Sequence, residues 1–355
     1  MSDRRLLYCA TCNAKYDVSG VRSGNRFICR SCRTVIRIPD HLGLEAFFKG
    51  GESREVLKPQ LILDEARGEG PGEAERSFEF TKMVATENDY VLVDCMLEEL
   101  ADPQGLAKVL CNRRRGVGSD GLLLFLPSSR ADFRMRMFNP DGSEAEMCGN
   151  GIRCLARFAF DHEYTRKSRF VVETGGGLKN IELRTDEEGI VRAVRVDMGR
   201  AEVEKVPGGA VDLKAAGRTF RGVPVSVGNP HFVIFTEDVD AVPLNDWGPA
   251  IENHTRFPNR TNVEFVRRLS SEEVVQRTHE RGVGETLGCG TGATAVCAAG
   301  RSLGLLDART TVHLRGGDLV VEIDAGGSAF LTGPAVEVFS GTWTPGGLKT
   351  GIVIV

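Results

Sequence analysis

Met147-Cys148-Gly149-Asn150-Gly151 and Gly288-Cys289-Gly290-Thr291-Gly292 carry one signature, a cysteine set among glycines, and each leads into a stretch with the text of a buried helix. After Cys148 the apolar residues fall at Ile152, Leu155, Ala156 and Ala159, one face of a helix. After Cys289 the run Ala293-Thr294-Ala295-Val296-Cys297-Ala298-Ala299 is apolar nearly all round, so that helix should be enclosed, as it would be inside a curved sheet. The surroundings repeat too. Asn88 lies 60 positions before Cys148, and Asn229 lies 60 before Cys289. Asn139 lies 9 before Cys148, and Glu280 lies 9 before Cys289. Two equivalent halves, each aiming a thiol and a helix start at one point, have the geometry to act on both faces of one small molecule. A two-base racemase or epimerase needs that arrangement.

The chemistry follows from the residue types. A helix N-terminus presents unpaired N–H groups and a partial positive charge, so it holds a carboxylate and lowers the pKa of a nearby thiol. Glycines beside the cysteine let a ligand approach the backbone. Two such helix starts would clamp one α-carboxylate, with a thiolate on one face removing the α-proton and a thiol on the other returning one. Donors aimed at the carboxylate stabilise the charge that develops there. Against this stands the plainer reading of buried structural cysteines in tight turns. The matched offsets favour catalysis by Cys148 and Cys289.

Outward from these motifs the text is strand-rich. Phe78 to Met83 alternates, and Tyr90-Val91-Leu92-Val93 reads as a buried strand. Further strands are predicted at 122–126, 133–138, 170–172, 191–196, 223–227, 232–235, 263–266 and 274–279, with Met198-Gly199-Arg200 as the crossover between halves. The C-terminal run Gly351-Ile352-Val353-Ile354-Val355 is expected to return to the first half.

At 355 residues the chain holds two or three domains. With 41% hydrophobic and 26% charged residues it reads as globular. No run approaches the roughly 20 apolar residues of a membrane span, and the N-terminal text Met1 to Leu7 lacks the apolar run expected of a signal peptide. A net charge of −4 argues against nucleic-acid binding as the main identity. Ten cysteines without a secretion signal point to reduced thiols in the cytoplasm, serving metal or catalysis.

The N-terminus carries a second cysteine pattern. Cys9-x2-Cys12 and Cys29-x2-Cys32, separated by 16 residues, have the spacing of a four-thiolate zinc site. A metal would order a segment too short for its own apolar core. A redox pair or an empty arm is the alternative. Arg4, Arg5, Lys15, Arg22, Arg26, Arg30, Arg33 and Arg37 make this segment basic. A nucleic acid, an acidic partner and a merely solvated surface are all open.

The motifs resemble those of the diaminopimelate epimerase family over about residues 78–355. They are Phe138-Asn139-Pro140-Asp141-Gly142-Ser143-Glu144 leading into Met147 to Cys154, Gly228-Asn229-Pro230-His231, Arg260-Thr261-Asn262, and Glu280-Arg281-Gly282-Val283-Gly284-Glu285-Thr286 leading into Gly288 to Ala293. The resemblance implies an α+β fold of two pseudo-symmetric lobes, each a curved, mainly antiparallel sheet around a central helix. It implies epimerisation of LL- to meso-2,6-diaminopimelate with no cofactor, by thiols Cys148 and Cys289. The amides of Gly149, Asn150, Gly290 and Thr291 would hold the reacting carboxylate. Glu280 and Asn88 would lie near the reacting amino group, and His231 near the thiols. Asn139, Asn229, Asn262 and Arg281 would read the distal amino acid end. Taken singly, Asn139 and Asn229 also read as turn residues, His231 as a structural histidine, and Glu280-Arg281 as a surface pair.

One departure stands out. Where the family has Lys-Met-His-Gly-x-Gly-Asn-Asp, this chain has Lys82-Met83-Val84-Ala85-Thr86-Glu87-Asn88-Asp89. Glu87 either points outward or alters substrate choice or activity. The expected organisation is a zinc-ribbon-like module at 1–38, a linker at 39–77, a first lobe at 78–198 completed by about 341–355, and a second lobe at 199–340. A homodimer is compatible with this layout, and the ribbon's partner is not legible. The rivals are a racemase or isomerase of the same fold with another substrate, and an inactive epimerase body serving a zinc-ribbon regulator.

Overall fold

Alternating and apolar text becomes strands that hydrogen-bond in one long ladder, in a computed structural model that describes residues 77–344 apart from 98. It also describes the short strands Leu6–Tyr8, Lys15–Asp17, Arg26–Ile28, Val35–Arg37, Leu61–Ile62 and Gly347–Leu348. The chain divides into two units, residues 1–71 with 160–166, and residues 72–159 with 167–355.

In the first unit Leu6–Tyr8 pairs antiparallel with Lys15–Asp17, and Arg26–Ile28 with Val35–Arg37. Each pair brackets one Cys-x2-Cys in sequence. Leu61–Ile62, from the text read as a linker, pairs with Arg26–Phe27. Cys9, Cys12, Cys29 and Cys32 lie outside the described residues, as does the C-terminal run 351–355.

In the second unit, Phe78–Ala85 pairs antiparallel with Asn88–Asp94, which runs parallel to Gly121–Leu126. That strand is antiparallel to Phe133–Phe138, which is parallel to Arg169–Thr174; antiparallel steps then reach Gly177–Thr185 and Val191–Arg200. The later residues repeat the order. Arg218–Ser226 is antiparallel to Pro230–Phe235, which is parallel to Asn262–Arg268. Glu273–Glu280 follows antiparallel, Arg309–Leu314 parallel, then Gly317–Ile323 and Ser328–Gly333 antiparallel. The ladders meet where Val191–Arg200 pairs with Ser328–Gly333. Each ladder's following strand pairs with the first strand of the other: Glu202–Val203 with Arg218–Ser226, and Val336–Thr344 with Phe78–Ala85. The return to the first strands is thus made by 336–344. The expected crossover at 198–200 is continuous strand; its register shifts between Asp197 and Gly199, and Gly199 takes the left-handed φ of 79° that a bulge there requires.

Four α-helices among the described residues accompany the ladders: α1 (Pro103–Leu110), α2 (Gly149–Asp161), α3 (Leu244–Glu252) and α4 (Gly290–Ser302). The last follows from the sequence as an all-round apolar helix. It packs on strands 202–203, 218–226, 230–235, 262–268, 317–323 and 328–333, which enclose it. Helix α1 was not expected. Asp102 caps it, its Oδ1 accepting from the Gly105 amide at 2.8 Å, and Pro103 opens it. Its Leu106 and Leu110 pack with Phe80, Phe138 and Trp343. Helix α3 seals the matching position with Leu244 and Ile251 against Phe220, Phe232 and Phe265. Burying each such side chain contributes roughly 1.5–3 kcal/mol. No helix among the described residues is long and apolar enough to cross a membrane.

Candidate active site

Helices α2 and α4 begin against each other. A Cβ placed on Gly149 would stand 3.7 Å from the Gly290 Cα, and one on Gly290 would stand 3.6 Å from the Gly149 Cα. The Gly290 position would also put a Cβ 2.9 Å from Leu331 Cδ2. A Cβ would therefore crowd Leu331 at Gly290, whereas at Gly149 it would meet its neighbours at ordinary contact distance.

Each cysteine precedes its helix, and its sulfur caps the first turn. The Gly151 amide donates to Cys148 Sγ at 3.3 Å, and the Gly292 amide to Cys289 Sγ at 3.4 Å. Cys289 Sγ also lies 3.5 Å from Thr291 Oγ1, and Cys148 Sγ lies 3.1 Å from the Tyr90 hydroxyl. The helix starts led to an expectation of lowered thiol pKa values, and this is corrected. Burial pushes both thiols up. Cys289 rises furthest, because the charges of Glu280 and Glu264 add to its burial; the Thr291 hydroxyl and the Gly292 amide offset only part. Desolvation outweighs a helix end here.

Around Cys289 the polar residues form a chain. Asn229 Nδ2 donates to Thr291 Oγ1 at 3.4 Å, Asn229 Oδ1 lies 3.0 Å from His231 Nε2, and His231 Nδ1 lies 2.7 Å from Glu264 Oε1. The His231 and Glu264 side chains are fully buried, and Glu264 Oε2 has no partner. Glu280 accepts from Thr286 Oγ1 at 2.5 Å. Burial raises its carboxyl, and its charge acts on both thiols.

Across the helix starts, Asn150 Nδ2 donates to Asn88 Oδ1 at 2.6 Å and to the Gly288 carbonyl at 3.1 Å, while the buried Asn150 Oδ1 has no partner. Asn88 Nδ2 donates to Asp120 Oδ2 at 3.2 Å. Arg113 bridges Asp120 and Asp89 at 2.7 Å each. Burial alone would raise the Asp89 carboxyl, but Arg113 and Lys82 hold it at about 2. Asn262 accepts from the Arg281 amide and donates to the Pro230 carbonyl, both at 2.9 Å. Arg281 is exposed and donates to the Asn259 carbonyl at 3.0 Å. The side chain of Asn139 bonds Ser143 at 2.9 Å, within its own turn.

Thr86 and Glu87 form the two-residue turn between strands 78–85 and 88–94, with φ of 52° and 60°, a region that disfavours both residues. Glu87 is exposed; Thr86 is buried beside Gly288. Thr86 Oγ1 accepts from Arg153 Nη2 at 2.6 Å. Arg153 is fully buried, and its other donors reach the Gly149 carbonyl at 3.0 Å and the Pro334 carbonyl at 3.2 Å. No carboxylate among the described residues pairs with it.

Sequence reasoning missed Tyr90, Glu264, Arg153 and Asp120. One signal was present, since Tyr90 precedes Cys148 by the same 58 positions that separate His231 from Cys289. A surface groove of 410 Å³, lined by Arg169, Glu182, Arg195, Phe330 and neighbours, contains none of these residues. No group of three or more His, Cys, Asp or Glu among the described residues is arranged to hold a metal.

The family model described as diaminopimelate epimerase matches residues 80–204 and 223–338. A diaminopimelate epimerase of Pelotomaculum thermopropionicum is 50% identical over 275 residues, 74% of this chain and 98% of that protein. One from Methanococcus maripaludis is 45% identical over 272 residues, with the same coverage of 74% and 98%. Among solved structures, a hydroxyproline epimerase from Agrobacterium vitis aligns with a TM-score of 0.61 at 16% identity, over 76% of this chain and 93% of that one. A phenazine biosynthesis protein of the PhzF family from Bacillus anthracis aligns with a TM-score of 0.58 at 18% identity, over 76% and 99%. At those identities the two structures speak for the fold alone.

Proposed function

The chain belongs to the diaminopimelate epimerase family, and from that premise we propose that it interconverts LL- and meso-2,6-diaminopimelate with Cys148 and Cys289 as its two acid–base groups. The observation that carries this is the abutment of Gly149 on Gly290, with a thiol capping each helix. The amides of Gly149, Asn150, Gly290 and Thr291 receive the α-carboxylate. One sulfur, as thiolate, takes the α-proton; the C–H bond breaks and an S–H bond forms. The other sulfur gives its proton to the opposite face of the carbon, and configuration inverts. Charge moves onto the carboxylate as the proton leaves, where the helix amides meet it.

Burial keeps both thiols protonated in the free chain, so the thiolate must form with substrate present. The substrate ammonium would be the cation that offsets Glu280, and Asn88, bonded to Asn150, joins Glu280 there on the resemblance. Arg281, Asn262 and Asn229 suit the distal amino acid end, the guanidinium matching a second carboxylate; Asn139 joins them on the resemblance. The duplicated order of strand pairings supports reading the body as two pseudo-symmetric lobes, each completed by a strand of the other. All six described cysteines are free thiols, which fits a cytoplasmic location.

The test is isotopic. In deuterated water the reduced protein should place one deuterium at the α-carbon of the inverted product from LL-diaminopimelate. Absence of both inversion and exchange would end this reading.

Cys9, Cys12, Cys29 and Cys32 are proposed to hold one zinc ion as a structural cross-link with no catalytic part. Four thiolates at this spacing match its preferred donor set, and the strand pairs bracketing each Cys-x2-Cys support it. Metal analysis of the full chain should give about one zinc per molecule, with loss in the Cys12→Ser, Cys32→Ser double variant. Equal zinc in both proteins would place the metal elsewhere.

A further inference from the structure

We propose that Tyr90 is the first half's counterpart of His231 and a positioning residue for Cys148, its hydroxyl holding that sulfur as the thiolate during turnover. This rests on the two-base reading above. Register is the first argument. A constant offset of 141 carries Asn88 to Asn229, Tyr90 to His231, Gly121 to Asn262 and Cys148 to Cys289. The fold repeats that offset. Tyr90 sits opposite Gly121 across a parallel pairing, and His231 sits opposite Asn262 across the equivalent one. The last glycine of each motif repeats it again: a Cβ on Gly151 would meet Leu123, and one on Gly292 would meet Glu264, both at 2.9 Å.

Contact is the second argument. The Tyr90 hydroxyl lies 3.1 Å from Cys148 Sγ, and the Tyr90 side chain is buried. His231, at the equivalent place, is instead spent on Asn229 and Glu264. The two half-sites therefore use different chemistry on one backbone plan. Burial and the nearby thiol push the phenol well above its ordinary range, so it is a donor at neutral pH and never the base. Toward a thiolate it donates O–H to sulfur, a charge-assisted bond stronger than one to the neutral thiol. That difference favours the thiolate. The first half also has Leu123 where the second has the carboxylate of Glu264, which pushes Cys289 up. Cys148 is thus the sulfur that ionises at the lower pH, and Cys289 is the proton donor in the direction of turnover that starts from the Cys148 thiolate.

The experiment measures the pH midpoint of Cys148 alkylation by iodoacetamide, followed by peptide mass spectrometry on the full chain. Rate alone would report access; the midpoint reports ionisation. Wild-type Cys148 should have a lower midpoint than Cys289. Tyr90→Phe should raise the Cys148 midpoint by about one unit and slow alkylation below it roughly tenfold, leaving the Cys289 midpoint in place. An unmoved Cys148 midpoint in folded Tyr90→Phe overturns the proposal. Should that variant fail to fold, replacing the chain's 4 tyrosines with 3-fluorotyrosine gives a stronger donor. The Cys148 midpoint should then fall, and no change would overturn the proposal equally. Failure of the epimerase reading is distinct: it would show as no α-exchange in wild-type protein, whatever the midpoints.

Discussion

Cys148→Ala and Cys289→Ala should each lower epimerisation by about a thousandfold or more, as removal of a positioned acid or base does. Neither change should unfold the chain. Cys289→Ala removes the sulfur that caps the Gly292 amide, at a cost of about 1 kcal/mol; Cys148→Ala removes the matching acceptor for Gly151. The double variant should be little worse than either single one, because the thiols act as a unit and losing one already stops inversion. A sharper readout separates two bases from one. A chain with one sulfur can still remove and return a proton on the face it occupies. One single variant should therefore exchange the α-hydrogen of one stereoisomer with solvent without inverting it, and the other variant should do so for the opposite stereoisomer. Exchange of the same stereoisomer by both variants, or inversion at wild-type rate by either, would contradict sulfurs on opposite faces of the carbon.

The expected strands and the two helix starts were visible because their signals are local. Alternation at 78–83 and the apolar run at 90–93 need only pleat geometry, and Cys-Gly-x-Gly before apolar text marks a helix start. What escaped depended on distant packing. Helix α3 carries Pro249 inside it, which breaks the pattern a reader looks for. Glu264 lies in Val263-Glu264-Phe265-Val266, where alternation implies a solvated face; α4 covers that face and leaves the carboxylate fully buried. Arg153 reads as the polar side of a helix, yet it is buried beneath both helix starts. The thiol pKa direction failed for the same reason, since a helix end is legible in sequence and depth is not. Glu87, a doubtful residue in the sequence, proves to be the exposed half of a tight turn.

Glu264→Leu should separate chemistry from packing at the second half-site. Leucine is a fair substitute in shape, because Leu123 occupies the equivalent place beneath Gly151. The substitution removes a buried carboxylate, one oxygen of which has no partner, and leaves His231 Nδ1 without its acceptor at 2.7 Å. Relief of the first and the cost of the second oppose each other, each on the order of a few kcal/mol, so the thermal midpoint should move by only a few degrees. Activity should not survive as well. His231 loses the bond that orients its ring toward Asn229, which in turn bonds Thr291 beside Cys289, and turnover should fall roughly a hundredfold. Glu264→Gln keeps an acceptor without the charge and should fall between. In both variants one of the two anions that push Cys289 up is gone while Glu280 remains, so its pKa should drop in part and its alkylation below that midpoint should quicken while turnover slows. A faster-reacting thiol in a slower enzyme is a signature that loose packing alone would not produce with the melting point preserved. Full turnover in a well-folded leucine variant would reduce Glu264 to a filler beneath α4.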